Sequence, residues 1–290
     1  MDTTEFENYL YKSGHTKETV KIYTFQVRPF LLMFPAMHAF TFRDFSRALT
    51  EFLKVYKNSN YKNTILSAIK RYYDFLLETG QRHDHPCKTM NFKTIKKKGL
   101  IHNDLFSAAE LEMLMDRNER YPLLKDRNQA MISLLIYQGL QIREVVNLKV
   151  HHINLDTGKV YVKESKQGLR RHLELHPKQY RIFEDYISKS RRELLKVESD
   201  ALFIALKGVP IGKDDVQYLV GTFAPLFPDR RLNCEAIRQS VISYWLNERK
   251  FPLEQVQLMA GHRWISTTVR YRQSPLDEKR LIINRLHPLG

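Results

Sequence analysis

Apolar residues in roughly the first ninety positions recur at helical spacing, and each run ends at a residue that stops a helix. Phe6, Tyr9 and Leu10 mark one face behind Thr4-x-x-Glu7, which has the spacing of a capping box, and Gly14 is the expected stop. Val20, Tyr23 and Val27 repeat the stripe up to Pro29. Phe45, Leu49, Phe52 and Leu53 predict a third helix, and Leu66, Ile69, Tyr73 and Leu76 a fourth ending at Gly80. The pattern changes at Ser107. Ser107-x-x-Glu110 is a second capping box ahead of Leu111, Leu114 and Met115, and a longer helix runs from about Arg127 to Gly139. Val160, Tyr161 and Val162, then a polar stretch, then HLEL predict a β-hairpin turning at Gln167-Gly168. ALFIA before Lys207-Gly208-Val209-Pro210 predicts another short strand and turn, and helices follow. Helices alone, then grouped strands with helices, predict an all-α domain followed by an α+β domain.

Length and charge sharpen this picture. A chain of 290 residues can bury two cores. Lys and Arg exceed Asp and Glu by 15, which favours a polyanionic partner. No run of about eighteen apolar residues offers a membrane span, and the polar, acidic start MDTTEFENYL is unlike a secretory signal, so a soluble cytoplasmic protein is expected. Cys87 and Cys234 stand far apart without metal-ligand spacing, so neither a disulfide framework nor a metal site is expected. The segment NFKTIKKKGLIHND, with Lys96, Lys97 and Lys98, reads as a basic linker. Lys62, Lys70 and Arg71 on the bundle read by themselves as a solvated surface.

The most informative stretch is AIRQSVISYWLNERKFPLEQVQLMAGHRWISTTVRY, where Arg238, Gly261-His262 and Tyr271 follow one another, the last step being nine residues. It resembles the signature of the tyrosine recombinase (phage integrase) family, with Leu258, Ser266, Thr267 and Thr268 also in register. KESKQGLRRHLEL is similar to that family's β-turn and places Lys166 at its catalytic lysine. The resemblance implies a SAM-like helical core-binding domain over 1–91, a linker over 92–103, a catalytic domain of the DNA breaking-rejoining fold over 104–276, and a tail over 277–290 for exchange between protomers. It implies site-specific strand exchange through a 3′-phosphotyrosyl link at Tyr271, without metal or cofactor, on double-stranded DNA. The expected assembly is a homotetramer on two DNA sites, open to accessory recombination proteins, encoded by a bacterium or mobile element and nucleoid-associated.

In that scheme Arg238 and His262 stabilise the charge developing on phosphate, and Lys166 protonates the departing 5′ oxygen. Lys62, Lys70, Arg71, Lys96, Lys97 and Lys98 become the expected phosphate contacts, and Arg171 a phosphate or packing contact. Two positions depart from the pattern. Glu144 and Leu148 set a register that puts Gln141, which carries no charge, where the family has its first arginine, with Arg143 two residues on. Glu235 stands where the family often has His, and a carboxylate there repels phosphate unless it is protonated or pairs with Arg238, Lys166 or Arg143. These departures keep a second reading open, a DNA-binding accessory protein with weakened or lost chemistry. A third, a relaxase of the type IB topoisomerase kind, shares the chemistry but needs no tail for docking.

Overall fold

The computed structural model describes residues 3–92, 104–116, 119–165 and 168–273. Most of the expected linker, the tail over 277–290, and Lys96, Lys97, Lys98 and Lys166 lie outside the described residues. The chain divides into two compact units, Met1–Lys97 and Lys98–Gly290.

The first unit is helical throughout its described elements: α1 Thr4–Lys12, α2 Lys17–Met33, α3 Phe42–Phe52 and α4 Ser59–Glu78. Its core packs aromatic rings among aliphatic side chains. The ring of Phe30 lies 5.1 Å from Phe34, 5.9 Å from Phe45 and 5.2 Å from Phe52, centroid to centroid, and the buried Tyr73 hydroxyl donates to the Met37 carbonyl at 2.8 Å. Two local expectations change. The N-cap of α1 is Thr3, one residue before the expected box, and its hydroxyl accepts from Arg28 at 3.0 Å. α2 also runs through Pro29, because Val27, Phe30 and Leu31 are all buried and their packing outweighs the lost hydrogen bond.

Lys62, Lys70 and Arg71 all lie on α4. Helical geometry turns Lys70 about 80° and Arg71 about 180° from Lys62, so the three form no single stripe. Lys70 Nζ donates to the Lys88 carbonyl at 3.0 Å, and Arg71 pairs with Asp74 at 3.2 Å.

The second unit carries a three-stranded antiparallel sheet, β1 Ile153–Asn154, β2 Lys159–Val162 and β3 Arg171–Glu174, in the order β1-β2-β3. The hairpin forms in the register Val160↔Leu173 and Val162↔Arg171. The two-residue β1 was not expected from the sequence, since two positions are too short for alternation to register.

The expected strand ALFIA is not one. It makes single bridges at Ala201 and Ile204. Its carbonyls are met by side chains: Arg191 donates to Ala201 and Leu202, the Tyr186 hydroxyl to Leu202, and Arg127 to Ile204. Buried backbone needs partners but not a ladder, and here arginines and a tyrosine supply them.

The helices are α5 Ala108–Glu112, α6 Lys125–Tyr137, α7 Ile142–Val146, α8 Pro177–Asp185, α9 Arg191–Leu194, α10 Lys213–Gly221, α11 Cys234–Asn247, α12 Leu253–Ala260 and α13 Ile265–Val269. The Ser107-Glu110 box caps α5, with Glu110 N–H donating to Ser107 Oγ at 3.3 Å and Ser107 N–H to Glu110 at 2.8 Å. α6 and α11 are buried on nearly all sides and form the centre of the core. A side chain projecting from α11 is therefore held by packing along most of the helix.

Candidate active site

Arg238 sits in the second turn of α11 and is 4% exposed. One N–H donates to the Gly139 carbonyl at 2.5 Å and another to the Ala260 carbonyl at 2.6 Å. Gly139 has φ +57, and its carbonyl ends the chain path out of α6. Burial lowers the Arg238 pKa, and the carboxylate of Glu144, 4.0 Å away, opposes that. The guanidinium is thus fixed by two helix ends before any ligand arrives.

Glu144 is the hub of this cluster. Its two oxygens accept from Arg171 Nη1 at 2.8 Å and Nη2 at 2.9 Å, and one also accepts the Gln141 N–H at 2.9 Å. Burial pushes the carboxyl up, but Arg171, the Gln141 N–H and Arg238 together hold it below the usual carboxylate range. Arg171 further donates to the carbonyls of Met259 at 2.8 Å and Leu169 at 3.3 Å. Of the two roles expected of Arg171, phosphate contact or packing, the structure shows the internal one: the side chain is buried and each of its three guanidinium nitrogens donates within the protein. The alternation in β3 carries that signal, because Arg171 shares the inward face with Leu173.

The turn after α12 closes on the same guanidinium. Gly261 has φ +71, and an added Cβ would collide with Arg171 Nη1. Glycine is required both for the left-handed backbone and for that close approach. Gly261 C=O accepts the Leu169 N–H at 3.1 Å, and Gly168 pairs with His262 as a β-bridge, so the hairpin's far strand is tied to the histidine turn.

His262 is 7% exposed, and its Nδ1 lies 2.9 Å from Thr268 Oγ1. Burial, then the charges of Arg238 and Arg171, push its pKa down to about 4, so the ring is neutral at pH 7. The Tyr271 ring stacks on it with centroids 5.8 Å apart and 18° between planes. Asn247 Nδ2 donates to the Tyr271 carbonyl at 2.9 Å, which anchors the tyrosine to the end of α11. Burial raises the phenol pKa and Glu235 adds to the rise, with Arg238 and Arg270 opposing.

The structure thus brings Arg238, His262 and Tyr271 together. Lys166 lies outside the described residues, and Gln141, Arg143 and Glu235 are not among the buried side chains of this cluster. Gln141 is the N-cap of α7, and Arg143 is exposed with no ion pair to a described residue. Glu235 is exposed in the first turn of α11 and accepts from Gln239 at 3.0 Å. The expected pairing of Glu235 with Arg238 or Arg143 is replaced by the pairing of Glu144 with Arg238. Among the described residues no group of His, Cys, Asp and Glu could hold a metal ion, and no helix is long and apolar enough to cross a membrane.

The model of the phage integrase family matches residues 105–277, more than half of the chain. The chain belongs to the phage integrase family, the tyrosine recombinases. It is 24% identical to the TnP I resolvase of Bacillus thuringiensis over 276 residues, covering 92% of this chain and 93% of that one. It is 26% identical to the tyrosine recombinase XerD of Vibrio cholerae serotype O1 over 247 residues, covering 83% and 80%. Among solved structures, the XerH site-specific recombinase in a pre-cleavage complex with its difH substrate superposes with a TM-score of 0.73 at 18% identity, covering 97% of this chain and 84% of that one. A lambda integrase dimer bound to a core site superposes with 0.67 at 16% identity, covering 96% and 95%. The helical N-terminal unit and α+β catalytic unit are the family's fold.

Proposed function

We propose that this recombinase cuts and rejoins DNA through a covalent link to Tyr271. The observation that carries the reading is the stacking of Tyr271 on a neutral His262 beside the anchored, buried Arg238. The phenol oxygen attacks the scissile phosphorus as its proton passes to solvent water, and the bond to the 5′ oxygen breaks. Arg238 and the His262 ring bind the phosphate oxygens, whose charge grows as phosphorus becomes five-coordinate. Lys166 protonates the 5′ oxygen, leaving a 3′-phosphotyrosyl link and a free 5′-hydroxyl. The 5′-hydroxyl released in the same way on a partner strand then attacks the link, a new phosphodiester forms, the bond to the phenol oxygen breaks, and Tyr271 regains its proton. The bond energy is kept throughout, so the cycle needs no nucleotide. The basic linker, with Lys96, Lys97 and Lys98, and the cations of α4 contact phosphate. Four protomers on two sites exchange strands, each docking residues 277–290 on a neighbour.

The competing reading is a DNA-binding accessory protein. It is favoured by the uncharged Gln141 at an N-cap and the outward Arg143, which leave the site without the family's first arginine. Covalent trapping separates the two. Purified protein is mixed with a nicked duplex from the borders of its own genetic element and run on a denaturing gel beside Tyr271→Phe. An adduct lost in the Phe variant supports the recombinase reading. Site-preferring, salt-sensitive binding with no adduct would establish the accessory reading instead.

A further inference from the structure

A neutral imidazole has one N–H and one lone pair, so it can donate to a phosphate oxygen from Nε2 only if the proton is absent from Nδ1. Which nitrogen carries it is set by the bond the other nitrogen makes. In this protein that bond goes to Thr268, which is 0% exposed on α13. Among the described residues the Thr268 hydroxyl has no carbonyl partner, in contrast to Thr50, Thr64 and Thr79, whose hydroxyls donate back to their own helices. If Nδ1 carried the proton, the Thr268 hydroxyl hydrogen would be buried without an acceptor, at a cost of about 1–3 kcal/mol. If Nδ1 is bare, the hydroxyl donates to it and both groups are satisfied. Nε2 has no hydrogen-bond partner among the described residues, so its N–H remains for a ligand.

We propose that Thr268 is a positioning residue that donates its hydroxyl hydrogen to His262 Nδ1 and so holds the imidazole in the Nε2–H tautomer that binds the scissile phosphate. The role of that N–H rests on the recombinase reading; the tautomer does not. The same bond fixes the ring plane against which Tyr271 stacks, so one hydroxyl orders both the phosphate donor and the face of the nucleophile.

Nitrogen NMR of the full chain labelled at histidine reads the tautomer directly, with the His262 signals among the eleven histidines assigned by their loss in His262→Ala. Wild type and Thr268→Ser are expected in the Nε2–H form. Thr268→Val, which keeps the shape but removes the donor, is expected to lose that preference and to form adduct about tenfold more slowly at unchanged DNA affinity, a loss of ~1.4 kcal/mol. In a His262→Ala background the Val substitution should cost nothing further. A wild type in the Nδ1–H form, or a Val variant with unchanged tautomer and rate, would overturn the proposal. The wild-type spectrum decides even if Thr268→Val does not fold. It also needs no turnover, so a wild type that makes no adduct would remove the recombinase reading and leave the tautomer assignment to be judged alone.

Discussion

The two units bury different kinds of side chain. Among the described residues, the helical unit buries only Thr3, Thr24 and Gln26 besides its apolar and aromatic core. The catalytic unit buries Arg127, Arg171, Arg191 and Arg238, with Glu144, His152 and His262. A core of rings is stable without directional constraints, since aromatic contacts tolerate a range of angles. Buried guanidinium groups cost desolvation that only well-placed acceptors offset, so they persist where fixed geometry is needed. The first unit is therefore built for shape. The second carries the desolvation cost of a preorganised electrostatic site.

The contrast breaks most visibly under two substitutions of similar energetic size. Phe30→Ala should cost about 3–5 kcal/mol by opening a cavity among the three rings of Phe34, Phe45 and Phe52, and Glu144→Gln about 3–5 kcal/mol by leaving Arg171 and Arg238 without their counter-charge. Urea unfolding should place the loss in the helical unit for the first and in the catalytic unit for the second. Trapping of bound DNA should survive Phe30→Ala and fail in Glu144→Gln. The reverse pattern would erase the distinction between the units.

Next in size is Arg238→Ala, expected to slow adduct formation by roughly 10² to 10³ while DNA binding changes little, because the group acts on charge that develops during the reaction. Single-turnover trapping at saturating DNA reads it. A variant as fast as wild type would move Arg238 from the chemistry to the scaffold.

The third concerns pH. The His262 pKa is about 4 in the folded chain against an ordinary 6.5, so between those values the unfolded chain holds a proton that the folded chain does not. Stability should therefore fall as pH drops from about 6.5 toward 4. His262→Gln should flatten that window in urea titrations of the catalytic unit, whereas no corresponding change is expected in the helical unit. An equal slope with and without the histidine would assign the effect elsewhere.

The smallest expected effect is a gain. Gln141→Arg restores a charged donor at the start of α7 and should raise the trapping rate about tenfold, ~1.4 kcal/mol. No gain, with the fold intact, would mean that the present cations already saturate the phosphate.

Helical stripes, the hairpin and the order of Arg238, His262 and Tyr271 were legible along the chain, because period and spacing are local properties that survive without neighbours. The chemistry of Gln141 was legible for the same reason: an amide cannot become a guanidinium wherever the fold puts it. What the chain alone determined was thus which groups exist, which elements carry them, and that two units would form.

The partners were decided only in three dimensions. Glu144 served in the sequence as a register marker, yet it joins Arg171, 27 residues away, and stands 4.0 Å from Arg238. Arg171 could be read as a phosphate or a packing contact until β3 turned it inward, and ALFIA looked like a strand until Arg191, Tyr186 and Arg127 supplied its acceptors with donors. Thr268 stood in the family register, but nothing in the chain named its partner, since that depends on what the fold brings within 3 Å of the hydroxyl. Ion pairs and hydrogen bonds between distant segments depend on distances that no local pattern encodes, and in a buried site those distances decide which charge is neutralised and which is left for the substrate.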